Sequence, residues 1–138
     1  MGYTGRCLCG KVRYEIAGEI GPLVNCHCRF CRRAHGAAFS TVTTVRRERL
    51  HWTAGEALIR AHGNETGSRH FCSDCGTRLY NDRRPPHDHV ALVVASLDQE
   101  PARGPVMHVN VESKAGWYRI LDELPQHRGF PETIAGND

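Results

Sequence analysis

A chain of 138 residues has the length of one domain, and a hydrophobic content of 40% supplies one modest core. No apolar run approaches the ~18 residues of a transmembrane span, and the opening MGYTGRCLCG lacks the basic-then-apolar layout of a signal peptide; a cytoplasmic protein with reduced thiols is expected. The formal charge of +3 is too small to argue for nucleic-acid binding, which needs surplus, clustered positive charge.

The predicted elements are short strands separated by turns. Lys11 to Ile16 alternates, with Val12, Tyr14 and Ile16 on one face of a half-buried strand. Cys28–His35 predicts about two turns of helix, stopped by Gly36. Further β-rich stretches follow at Ala38–Val45, Leu50–Trp52, Ala57–Ala61, Arg69–Phe71, Arg78–Tyr80, His89–Leu97 and Pro105–Val111. Between strands lie GEIGP, TAGE, HGNETG and NDRRPPHD, whose Gly, Pro, Asn and Asp are what turns require. Lys114–Ile120 predicts a second very short helix before LDELP. The expectation is a mostly β, largely antiparallel single domain over residues 1–132, with a disordered tail at 133–138.

Seven cysteines fall in three clusters: Cys7 and Cys9 in CLCG, Cys26, Cys28 and Cys31 in CHCRFC, Cys72 and Cys75 in CSDCG. An odd count cannot pair fully as disulfides, but four and three are the ligand numbers of a closed structural zinc site and an open catalytic one. Seven thiolates and two zinc ions would also bring the formal charge from +3 to near zero. CSDCG is a Cys-x-x-Cys-Gly knuckle and half a site. In an extended segment, Cys7 and Cys9 would point to one side and grip the same ion. Together they form a tetrathiolate, with two disulfides or unligated thiols as the alternative.

The middle cluster has three cysteines and no obvious fourth ligand. An open three-thiolate zinc is electrophilic and able to bind a thiol and lower its pKa. Two alternatives stay open, a shell closed by a histidine and a redox pair at Cys28 and Cys31. His35, four residues after Cys31 on the same helix face, either completes the shell, moves protons beside it, or is an exposed histidine at a helix end. His27 points away. Arg29, Arg32 and Arg33 are either a solvated face offsetting thiolate charge or partners for substrate carboxylates. Trp117 and Tyr118 either wall the pocket or fill the core.

CLCGKVRY, CHCRFCRRAHGAAF, FCSDCG and SKAGWYRILDELP together resemble the glutathione-dependent formaldehyde-activating enzyme and centromere protein V family, from about Gly5 to Pro131. The resemblance implies a β-tent fold with a structural zinc on Cys7, Cys9, Cys72 and Cys75. It also implies a catalytic zinc on Cys26, Cys28 and Cys31. The implied activity is a carbon–sulfur lyase type of chemistry that joins a small thiol such as glutathione to formaldehyde. His35 stands where similar sequences place a small hydroxyl residue. A non-catalytic zinc module for a protein or nucleic-acid partner is the alternative from another class.

Overall fold

The structure, a computed structural model, describes residues 2–83 and 85–131; the expected tail at 133–138 lies outside the described residues. Among the described residues ten strands and one α-helix follow in the order β1 (Gly2–Arg6), β2 (Arg13–Ala17), β3 (Leu23–Cys26), α1 (Arg29–His35), β4 (Ser40–Arg46), β5 (Leu50–Ala54), β6 (Ile59–Gly63), β7 (Gly67–Cys72), β8 (Arg78–Arg83), β9 (His89–Val93) and β10 (Pro105–Val109). Single 3-10 turns cover Arg47–Arg49, Glu56–Leu58, Val94–Ser96 and Val111–Ser113. The strands form a three-stranded sheet, β1-β2-β5, and a seven-stranded sheet, β10-β3-β4-β9-β8-β7-β6. Every pairing between named strands is antiparallel except β3 with β10.

The alternation of β2 does what period 2 dictates. Val12, Tyr14 and Ile16 are buried, and they pack with Val45, Leu79, Leu92, Cys7 and Cys72 in the larger core, with Trp52 and Tyr80 at its margin. Fully burying an apolar side chain of this size contributes about 2 kcal/mol each. The Tyr14 ring crosses under β1, where a Cβ at position 5 would fall 2.2 Å from its Cζ, so only glycine fits at Gly5. The Tyr14 hydroxyl ends on Ser96 Oγ at 2.6 Å, and Ser96 passes the bond on to Val93 O at 2.8 Å. A smaller cluster of Val24, Cys26, Cys31 and Val109 lies at the other end, where β3 enters α1.

The second helix expected at Lys114–Ile120 is absent, and helical geometry is confined to the 3-10 turn just before it. Lys114 N–H donates to Val111 O and Tyr118 N–H to Ala115 O, which closes two separate four-residue turns, the second of them containing Gly116. Lys114 Nζ donates to the carbonyls of Ala115 and Tyr118, groups that a continuing helix would need as acceptors. No helix among the described residues is long and apolar enough to cross a membrane.

Candidate metal centres

The outer cysteines meet where the two sheets join. Cys7 and Cys9 lie in the turn after β1, and Cys72 and Cys75 at the end of β7 and in the turn beyond it. The two knuckles are built alike. The N–H of Cys7 donates to Val12 O and that of Cys72 to Thr77 O, so each chain reversal closes five residues on. Gly10 and Gly76, both at φ 79, turn the chain back, a backbone conformation that costs glycine little. Cys7 and Cys9 therefore converge from a turn and not from an extended segment. All four sulfurs lie within 4.8 Å of one another, with Cys7 to Cys9 at 3.5 Å and Cys9 to Cys72 at 3.9 Å.

Donors surround those sulfurs as they surround thiolates. The Val12 N–H points at Cys7 Sγ at 3.3 Å and the Cys9 N–H at Cys75 Sγ at 3.4 Å. Burial works against the thiolate at Cys75, but the Thr77 hydroxyl and the surrounding N–H groups outweigh it and bring the thiol down to about 5. The nearby Lys11 is paired with Asp74.

The middle cysteines sit where β3 ends and α1 begins. Cys26 is the last residue of β3, and Cys28 is the N-cap of α1, its Sγ accepting the Cys31 N–H at 3.2 Å. Gly36, at φ 59, ends the helix and donates its N–H to Arg32 O. The three sulfurs lie within 4.8 Å of one another, and no fourth Cys, His, Asp or Glu among the described residues joins them. Cys26 and Cys31 are buried and Cys28 half-buried.

Two residues that sequence reasoning missed also bond to this cluster. Arg69 of β7 places Nη2 3.4 Å from Cys31 Sγ and 3.9 Å from Cys28 Sγ. Asn110 Nδ2 donates to Cys26 Sγ at 3.2 Å, from a backbone at φ 57, the one positive φ outside glycine among the described residues. Charge is shared unequally. Cys31 is held well below the usual thiol range by hydrogen bonds from Cys26 and Cys28, with Arg69 adding to the effect. Cys26 is pushed far up because its proton serves Cys28 and Cys31, and because it is buried.

His27 does face away from the sulfurs, into a second network. Its Nε2 lies 2.8 Å from His108 Nδ1, and His108 Nε2 lies 3.0 Å from Asp122 Oδ2. Since the carboxylate accepts, His108 carries its proton on Nε2, and His27 must then donate from its own Nε2. His27 Nδ1 is left as a buried lone pair with no partner. Burial above all, with the charges of Lys114 and Arg32 adding to it, brings the His27 imidazole down to about 4, so it is neutral near pH 7. Its N–H also donates to Val109 O at 3.0 Å, so ring and backbone both hold the link between Cys26 and Cys28.

His35 is neither a ligand within reach of the three sulfurs nor an exposed helix end. It is half-buried, its Nε2 is shielded and unpartnered, and burial holds its imidazole below the ordinary value. Arg32 donates to Ser113 O at 2.8 Å, and Arg29, Arg32, Arg33 and Trp117 line one hollow of about 210 Å³. Trp117 is 71% exposed and fills no core, whereas Tyr118 packs its ring 5.6 Å from that of Phe39.

The donor chemistry suits a thiophilic ion at both places: convergent sulfurs, N–H groups directed at them, and seven free cysteines. The fold is a mostly β body with one four-sulfur and one three-sulfur cluster, each of which could hold a metal ion. Residues 2–113 match the family of the glutathione-dependent formaldehyde-activating enzyme, and the chain belongs to that family. A Halomonas elongata protein provisionally named as such an enzyme is 29% identical over 95% of this chain and 90% of its own length. Relatives with the same provisional name from Podospora anserina and Fusarium vanettenii are 35% and 26% identical, and this chain spans 56% and 62% of their lengths. The crystal structure of a Rhodobacter sphaeroides protein is similar in fold, with a TM-score of 0.60 at 24% identity over 89% of this chain and 98% of that one.

Proposed function

We propose that the chain is a two-zinc enzyme of carbon–sulfur bond chemistry, joining a small thiol to an aldehyde or splitting the adduct, with S-hydroxymethylglutathione as the reference product. The observation that supports this reading is the asymmetry of the clusters. Four sulfurs make a closed, structural set at Cys7, Cys9, Cys72 and Cys75, while three at Cys26, Cys28 and Cys31 leave one tetrahedral position for a substrate atom.

Zinc held by the three cysteines would supply the positive charge that stabilises a thiol as thiolate near neutral pH. The chain's own groups account for the remaining steps. As the thiol binds, its proton passes to His35, whose shielded Nε2 has no partner to displace. The sulfur then attacks the aldehyde carbon, a C–S bond forms as the C=O π bond opens, and His35 returns the proton to the oxygen. Arg29, Arg32 and Arg33, gathered around one hollow with Trp117, are placed to take substrate carboxylates.

The test is to measure exchange between free glutathione, formaldehyde and their adduct by NMR, with and without protein shown by elemental analysis to carry close to two zinc ions per chain. Exchange should be faster with the protein and return to the uncatalysed rate with Cys31→Ser. Equal exchange with and without the zinc-loaded protein would refute the reading and favour a binding module.

A further inference from the structure

Arg69 stands out because its surroundings give it no other charge to satisfy. It projects from β7, separated from β3 by three strands of the same sheet, and its guanidinium reaches Cys31 and Cys28 at 3.4 and 3.9 Å. Nη1 reaches only the neutral amide of Asn81 at 3.5 Å, and no carboxylate pairs with Arg69 among the described residues. The next carboxylate along β8, Asp82, pairs in register with Ser68 and not with Arg69, and it is taken by Arg47 in a bidentate pair at 2.7 and 3.1 Å. The outer centre has no counterpart, since its sulfurs take backbone N–H groups and the Thr77 hydroxyl, while Lys11 is paired with Asp74.

Charge separates the two centres. Four thiolates with a divalent ion sum to −2, a state suited to an ion that needs no further ligand. Three thiolates with the same ion sum to −1, and Arg69 brings the sum to zero. An anionic fourth ligand would then leave −1; without Arg69 it would leave −2 on a cluster whose Cys26 and Cys31 are 7% and 3% exposed. Carrying that extra charge away from water is what the guanidinium offsets. Arg69 also lines a groove of about 240 Å³ together with Phe30, the residue next to Cys31, and Ser68 and Asn81, although no cysteine lines it.

We infer that Arg69 is the specificity-determining residue of the three-cysteine centre, making it accept an anionic fourth ligand, a thiolate, in preference to a neutral donor. The inference rests on the reading of this centre as an open metal site. Arg69 acts by its charge at the sulfurs, and it does not itself ligate the metal.

The test uses full-length protein loaded with cobalt in place of zinc, titrated at pH 8 with 2-mercaptoethanol and, separately, with imidazole, and read by visible absorption. Mercaptoethanol carries no carboxylate, so Arg29, Arg32 and Arg33 do not enter, and imidazole is a neutral donor of similar size. Arg69→Gln should raise the mercaptoethanol Kd about tenfold, the effect of one opposite charge at this range, and move the imidazole Kd by less than about twofold. Arg69→Lys keeps the charge and should bind mercaptoethanol within about threefold of the parent, and it decides the matter if the Gln variant does not fold. Equal weakening toward both ligands in Arg69→Gln, an unchanged mercaptoethanol Kd, or a loss in Arg69→Lys as large as expected for Gln would overturn the inference. No response to either ligand in the parent would overturn the open-site reading, and this inference with it.

Discussion

Replacing Cys72 with Ser should cost far more stability than replacing Cys31 with Ser. Cys72 is fully buried in the larger core and closes a loop with 62 residues between it and Cys9. In the chain-entropy treatment of a cross-link, fixing a loop of that length removes about 4 kcal/mol of unfolded-state freedom. The five-residue step from Cys26 to Cys31 removes only about 2 kcal/mol, and α1 already constrains much of it. Coordination adds to this, since a closed tetrathiolate contributes folding energy on the order of 10 kcal/mol, comparable with the whole stability of a domain. Thermal melts by circular dichroism, with metal content measured on the same samples, should show Cys72→Ser melting more than about 10 °C below the parent. Cys31→Ser should lose less than about half of that while shedding one metal. A Cys31→Ser variant that falls as far as Cys72→Ser would mean that both centres hold the fold together. Cys72→Ser melting within about 5 °C of the parent would refute the clamp.

A mild chelator should remove the three-cysteine metal first, because an open position admits a competing ligand; simultaneous loss of both ions, followed by elemental analysis, would contradict this. Asn110→Gly should melt close to the parent while Asn110→Ala loses about 1 kcal/mol, since alanine is strained at φ 57, and both should release the inner metal faster for want of the donor to Cys26. Tyr14→Phe should cost about 1 kcal/mol at pH 8 for the bond to Ser96. Burial raises the Tyr14 phenol from 10 to about 12, so its stabilising share is whole below pH 10 and erodes as the unfolded chain ionises above it. The parent's advantage over Tyr14→Phe in denaturant titrations should therefore vanish by about pH 11. His35→Ala should slow adduct turnover more than it weakens thiol binding, because a proton carrier matters in the transition state; an equal effect on both would assign it to packing.

The sequence reveals the parts of this molecule that local chemistry decides. Cysteine spacing marks both clusters, because the ligands of a knuckle are near neighbours. Val12, Tyr14 and Ile16 declare their strand because one face is wet. β3 is buried at all four positions, Leu23 to Cys26, so no alternation betrays it. The 114–120 segment has helical composition, but Lys114 bonds the carbonyls that a helix would use. Arg69, Asn110 and the His27–His108–Asp122 chain were out of reach for a different reason. Each acts across 14 to 84 residues of sequence, through sheet pairings that no local pattern specifies.

The parallel pairing of β3 with β10 sets a timetable for assembly. All four outer cysteines are present once residue 75 has been made, and an ion held by them would tie off the loop that carries Cys26, Cys28 and Cys31. Asn110 and His108 arrive only with β10, which lies beside β3 in register Val109 to Cys26 and His108 to Asn25. A chain halted before β10 would have every sulfur and Arg69, but neither the amide on Cys26 nor the histidine that holds His27. Of the two cysteine clusters, the three-membered one is thus the last to gain its full set of neighbours along the chain.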